Sequence, residues 1–194
     1  MAVREKITRK TIVDAGFEIV REQGIEKLNV RGVAARIGCS TQPVMYCYHT
    51  ADEMKADILE RANEYHTEYL ARRSADDTDV LIAIGMNYIR FAAEERNLFR
   101  FIFLSDMAQN AGITELISAD DSAVVPILAG KYGMSAENAK DTFEALFGAF
   151  HGYAAMIAYG MISYDEAHCR KQLNRICGGL AKQIRQEEQQ TAKI

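Results

Sequence analysis

The sequence has no tryptophan, only two prolines among its 194 residues, and no run of eighteen consecutive apolar residues. Each shortage excludes something. A chain this poor in proline has few obligatory breaks, so helices can run on. Without a long apolar run there is no candidate membrane span. The charged opening Met-Ala-Val-Arg-Glu-Lys never develops the apolar core of a secretory signal. With no export signal, the four cysteines Cys39, Cys47, Cys169 and Cys177 are expected to be reduced thiols in the cytoplasm. Catalytic signatures are missing too. There is no Gly-x-Ser-x-Gly, no glycine-rich phosphate loop, no Cys-x-x-Cys, and no metal spacing among His49, His66, His151 and His168. No enzyme activity, cofactor or metal is expected.

Positive charge is also short overall, with a net charge of −4. Its distribution says more than its sum. Residues 1–51 carry eight Lys/Arg against five Asp/Glu, a balance of +3, whereas the other 143 residues carry fifteen against twenty-two, or −7. A mildly basic head precedes an acidic body, the asymmetry expected if the head meets a polyanion.

What is present is helical periodicity. Ile12, Ala15, Gly16, Ile19 and Val20 recur at i, i+3, i+4, i+7 and i+8, and Gly24 follows as a stop. Asn29 is placed to cap a second helix carrying Val30, Val33, Ala34 and Ile37, with Leu28 and Val33 as a hydrophobic staple. Gly38 ends that helix, and Ser40 opens a third short one with Pro43 in its first turn. Thr50-x-x-Glu53 reads as a capping box for a fourth, with Met54, Ile58, Ala62, Tyr65 and Tyr69 on one face. A polar break at 74–79 leads to helical runs at about 79–95 and 97–105, a weak region at 106–121, and a run at about 122–132. Ser135 caps a long segment to about Met161, and Ser163-x-x-Glu166 opens a last helix to about 187. The expected fold class is all-α, with about nine helices and no sheet.

Function is written most clearly in helices two and three. The turn Gly38-Cys39-Ser40 between them gives helix-turn-helix spacing, in which the second helix enters the DNA major groove. At about 100° per residue, Val44, Cys47 and Tyr48 form the packed side of helix three. Gln42, Met45, Tyr46 and His49 fall on the other side, with Thr41 and Pro43 beside it. That outer face has no charge, only the amide, hydroxyl and apolar groups that base edges and thymine methyls call for. The competing reading is a small helix packed on both sides within its own domain.

From Asn29 to Met54 the chain resembles the TetR family of bacterial regulators. A helix-two pattern of a capping residue, an apolar-Ala pair and a Gly-x-Ser turn is met by Asn29, Val33-Ala34 and Gly38-Cys39-Ser40. The Ser-Thr-Gln-Pro opening of helix three recurs in that family, and the resemblance covers residues 5–60. It implies a homodimer that grips a double-stranded operator and answers a small effector. Carried over, it assigns Asn29 and Arg31 to phosphate or base contacts, Ser40 and Thr41 to the start of the recognition helix, and Gln42 and Pro43 to the groove. It places Tyr46 and His49 against the backbone. The sequence departs from the pattern at Val44-Met45 in place of Leu-Tyr, at Tyr48 in place of Phe, and at Ala51 in place of a phosphate-binding Lys. Lys55 stands one turn further on as a substitute. Arg4, Lys6, Arg9 and Lys10 either flank the duplex or form a solubilising end.

In the body, Phe147-Gly-Ala-Phe-His-Gly resembles the Trp-x-x-x-His-Gly signature of one C-terminal subtype, with Phe147 for Trp. The resemblance implies an effector cavity, and Tyr65, Phe91, Phe103, Phe147, Phe150, His151 and Met156 are its expected lining, the competing reading being that these residues are core. Small residues at Ala145, Gly148, Gly152 and Ala155, and a second set including Cys169, Cys177, Gly178 and Gly179, mark the last two helices as a dimer seam or as intrachain packing. Residues 1–50 are the expected DNA-binding head and 51–194 the effector-binding and dimerisation body, connected by helix four at about 51–73. The reading is a DNA-binding repressor released by a largely hydrophobic effector. The alternative is a helical protein-interaction module that no longer binds an operator.

Overall fold

The computed structural model describes residues 7–72, 79–106 and 124–191. Among these there are nine α-helices, one short 3-10 turn and no strand, as the periodicity predicts. The helices are α1 (Arg9–Gln23), α2 (Val30–Ile37), α3 (Thr41–Cys47), α4 (Ala51–Leu70), α5 (Val80–Glu94), α6 (Arg96–Leu104), α7 (124–132), α8 (Ala136–Ala158) and α9 (Glu166–Thr191). The weak region at 106–121, most of the polar break at 74–79, and Arg4 and Lys6 lie outside the described residues.

By contacts the chain divides into two units, residues 1–68 with 95–110, and residues 69–94 with 111–194. The division falls in the last turn of α4. In the first unit, Ile12, Phe17, Ile19 and Val20 of α1 join Val33 and Ala34 of α2, Val44 of α3 and Met54, Ile58 and Ala62 of α4 in the core. Gly16 is there for closeness. A Cβ at Gly16 would lie 2.2 Å from Ile58 Cδ1, so any larger residue would force the buried Ile58 side chain to move.

In the second unit α5 is apolar nearly all round, with Leu81, Ile82, Met86, Ile89 and Phe91 buried. It packs on α8 and α9. Gly85 permits this contact, since its Cβ would stand 2.7 Å from Leu173 Cδ2 and 3.2 Å from Phe150 Cε2. Asp79 caps α5, accepting from the Leu81 amide at 3.1 Å. It also pairs with Lys131. Burial works to raise the Asp79 pKa, but the bond from Lys131, the charge of that ammonium and the amides of Ile82 and Leu81 together outweigh it, and the net shift is downward. The last helix is capped by Asp165, not by the expected Ser163. Asp165 Oδ1 accepts the His168 amide at 2.9 Å and its carbonyl accepts that of Cys169, also at 2.9 Å. Glu166 therefore opens the helix, and instead of closing a capping box it pairs with Arg90 at 3.2 Å.

Among the described residues no helix is long and apolar enough to cross a membrane.

Candidate nucleic-acid interface and effector site

The helix-turn-helix is built by two locally determined ends. Asn29 Oδ1 accepts the Gly32 amide at 2.9 Å, while its Nδ2 donates to the Lys27 carbonyl at 3.1 Å. That fixes where α2 begins. At the other end Gly38 adopts φ 79°, a left-handed conformation natural to glycine. Its amide donates to the Ala35 carbonyl at 3.2 Å and the Cys39 amide to that of Ala34 at 3.0 Å. This pair of bonds is a Schellman turn, and it stops α2 and redirects the chain into α3.

α3 buries the side expected of it. Val44 is fully buried, Tyr48 at its end is 1% exposed, and Cys47 is half-buried. Thr41, Gln42, Met45, Tyr46 and His49 are exposed, and Pro43 is half-buried. Tyr46 is 77% exposed, a large value for an aromatic ring, so among the described residues the reading of α3 as packed on both sides does not hold. Gln42 Nε2 donates to the Tyr46 hydroxyl at 3.0 Å, tying two outward groups one turn apart. Ser40 stands at the N-cap without a side-chain capping bond. The Thr50 hydroxyl accepts the Glu53 amide at 3.1 Å, while the Glu53 carboxylate accepts the His49 amide at 2.9 Å. The box thus reaches one residue back and secures the exit from α3.

The cations around this face differ in availability. Arg31 is exposed and has no ion-pair partner among the described residues. Lys55 is half-buried and pairs with Asp52 at 3.2 Å. Arg36 holds Glu22 by two bonds of 2.7 and 2.8 Å. Arg9, expected either to flank the duplex or to belong to a solubilising end, is tied to α3 and α4: its Nε donates to the Cys47 carbonyl at 3.2 Å and its Nη1 lies 3.5 Å from Asp57 Oδ2.

The seven expected effector contacts are distributed over both units. Tyr65 and Phe103 belong to the first unit and the other five to the second. Tyr65 donates to Glu95 at 2.9 Å, and Arg21 Nε grips the same carboxylate at 2.9 and 3.1 Å. The hydrogen bond from Arg21 to Glu95 raises the guanidinium pKa further still. Phe103 packs edge-on to His66 at 5.2 Å. In the second unit Phe91 is fully buried against Tyr69, and Phe150 covers Gly85.

Phe147 and His151, one turn apart on α8, do come together. Their rings stack at 5.5 Å, and His151 Nδ1 lies 2.8 Å from the hydroxyl of Tyr88 on α5. Burial holds the His151 pKa below its ordinary value, so at neutral pH the ring is an uncharged hydrogen-bonding group among aromatics. Met156 is half-buried five residues beyond His151 on the same helix. Sequence reasoning missed Tyr88. The signal was its place beside Asn87, two polar-capable residues following the apolar first two turns of α5. Asn87 is 5% exposed and donates to the Leu70 and Arg72 carbonyls at 3.1 and 2.6 Å. Among the described residues no group of acidic, His and Cys side chains could hold a metal.

Residues 81–175 match the family described as "Tetracyclin repressor-like, C-terminal domain". No curated protein matches the sequence. Among solved structures, the chain is similar to a TetR-like transcriptional regulator from Rhodococcus sp. RHA1, with a TM-score of 0.65 and 19% identity over 92% of this chain and 98% of that one. It is similar to a TetR family member from Streptomyces coelicolor A3, with a TM-score of 0.62 and 23% identity over 87% and 96% of the two chains. The multidrug binding protein EbrR complexed with ethidium gives 0.62 and 21% identity over 87% and 97%. The fold is that of TetR-like regulators.

Proposed function

We propose that the chain is a TetR-family transcriptional regulator that binds a double-stranded operator as a homodimer and is released by a small, largely hydrophobic effector. The observation that carries this is the face of α3. It is exposed, aromatic and uncharged, and it stands at the end of a helix-turn-helix whose turn is fixed by Gly38. A surface helix of that composition has little reason to face water, whereas base edges in the major groove match it. Residues 1–50 are the DNA-reading head in this proposal, and the remainder is the effector and dimer body, in a cytoplasmic protein with no catalytic role. The effector site we assign to Tyr88, Phe147 and His151. They combine apolar ring surface with one neutral polar group, the usual composition of a small-molecule pocket. EbrR, a similar structure, is described as multidrug binding and complexed with ethidium, which fits an aromatic effector. We further assign Phe147 to His151-Gly152 as a variant of the Trp-x-x-x-His-Gly subtype.

The test is selection of duplexes from random DNA by the wild-type protein, followed by shift assays on the winner. Arg31→Ala, Gln42→Ala and Tyr46→Ala should each weaken the selected duplex by about 1–3 kcal/mol with helical circular dichroism unchanged. Native affinity in all three would remove α3 as the reading element. The interaction-module reading draws on Ala51 and on the pairing of Lys55 with Asp52, which leave few cations for phosphate. It predicts that selection returns no consensus.

A further inference from the structure

We propose that Arg9, Tyr48 and Asp57 form a latch that sets the direction of α3, making Arg9 a positioning residue for DNA reading and not a phosphate contact. The inference rests on the DNA-binding reading above for its functional half, and on geometry alone for its structural half.

α3 is seven residues long, too short to hold itself helical or to fix its own axis. Its N-terminus receives no side-chain cap from Ser40. Its C-terminus has no left-handed glycine, since Tyr48 follows with extended backbone at φ −134° and ψ 127°. What closes that end comes from elsewhere in the chain. Arg9, the first residue of α1, donates Nε to the Cys47 carbonyl at 3.2 Å. A cation at a helix C-terminus also suits the helix dipole. The same guanidinium lies over the Tyr48 ring, 4.6 Å from its centroid. The Tyr48 hydroxyl donates to Asp57 Oδ2 at 2.7 Å, and Arg9 Nη1 approaches that same oxygen at 3.5 Å. One carboxylate on α4 therefore gathers the start of α1 and the end of α3.

The parts are unequal. Arg9 and Asp57 are 59% and 35% exposed, so their ion pair by itself counts for little. The bond from Tyr48 counts for more, because that side chain is 1% exposed and its hydroxyl would otherwise lose water without replacement. Burial and the bond to Asp57 both push the phenol pKa upward, which keeps it a donor. The hydroxyl is also the atom by which Tyr48 differs from the Phe that the TetR-like pattern carries there. Val44, Tyr48 and the latch fix one side of α3, and Gln42, Met45 and Tyr46 project from the other. A rotation of two short turns by a few degrees moves those groups out of register with base edges while leaving phosphate attraction intact.

The experiment uses the full chain with the duplex selected by wild type and a scrambled duplex of equal length. Tyr48→Phe should fold normally and narrow the ratio of selected to scrambled affinity by roughly 3–10-fold, the worth of one such hydrogen bond. Arg9→Gln should narrow it similarly with the salt slope unchanged. If Arg9→Gln instead lowers the slope by about one and weakens both duplexes alike, Arg9 contacts phosphate and the latch is wrong. Hydrogen exchange in the free protein supplies the arm that needs no DNA. In both variants the Tyr48 amide, which donates to the Val44 carbonyl at 3.1 Å, should exchange several-fold faster. Unchanged exchange overturns the latch whatever the DNA result. Faster exchange with no duplex selected by wild type leaves the latch standing and removes the DNA reading.

Discussion

His66 is buried against Phe103, and burial pushes its pKa down to about 4. In the unfolded chain a histidine titrates near 6.5. Above that pH the ring is neutral in both states and the fold loses nothing. As pH falls from 6.5 toward 4 the unfolded chain takes up a proton that the fold refuses, so stability declines across that window. At pH 4.5 the loss from this one group is about 2 kcal/mol. His151 adds to it in the same direction, since burial lowers its pKa as well. Urea midpoints at pH 7 and pH 4.5 measure the effect. His66→Gln should reduce the difference between the two pH values, and an undiminished difference would mean that the site hydrates readily. Single residues also explain what the sequence hid. The outward Gln42, Met45 and Tyr46 were legible because helical spacing is local. The inward turn of Arg9 was not, because its partners Cys47 and Asp57 lie 38 and 48 residues away.

Among the elements, nearly all helices follow from capping and spacing, and the errors are those of competing caps. Ser163 and Asp165 both precede the last helix, and only the latter has its carbonyl in line with the first helical amide. The small residues of α8 and α9 looked alike in sequence but divide in space. Cys169, Leu173 and Cys177 are buried in the second unit. Gly148, Gly152, Gly178 and Gly179 each face open space, where an added Cβ meets nothing within 4 Å. Gly85 is the opposite case. Gly85→Ala gains up to ~1 kcal/mol of helix propensity, yet it forces a Cβ to 2.7 Å from the buried Leu173. The clash should win, with a net loss of about 1–2 kcal/mol in thermal or urea unfolding. A stabilised variant would show that α5 and α9 can separate at little cost.

At the scale of the whole molecule, four glycines open to solvent on two adjacent helices require a use. Each costs about 1 kcal/mol relative to alanine in a helix interior, and nothing among the described residues packs on them. A second copy of the chain pressed against α8 and α9 is the assembly we propose. Gly152→Glu or Gly179→Glu should then sediment as monomer at micromolar concentration and lose operator binding, because two half-sites demand two heads. A monomeric wild type would contradict the proposed assembly. The cysteines carry one more consequence. Burial pushes Cys177 up to about 11 and raises Cys169 as well, so neither offers the thiolate that alkylation needs. Cys39 and Cys47, half-buried, stand just before α3 and at its last residue. A maleimide dye added to the native protein thus decorates the helix-turn-helix and spares the body, placing an optical reporter beside the groove-facing helix without any engineered cysteine.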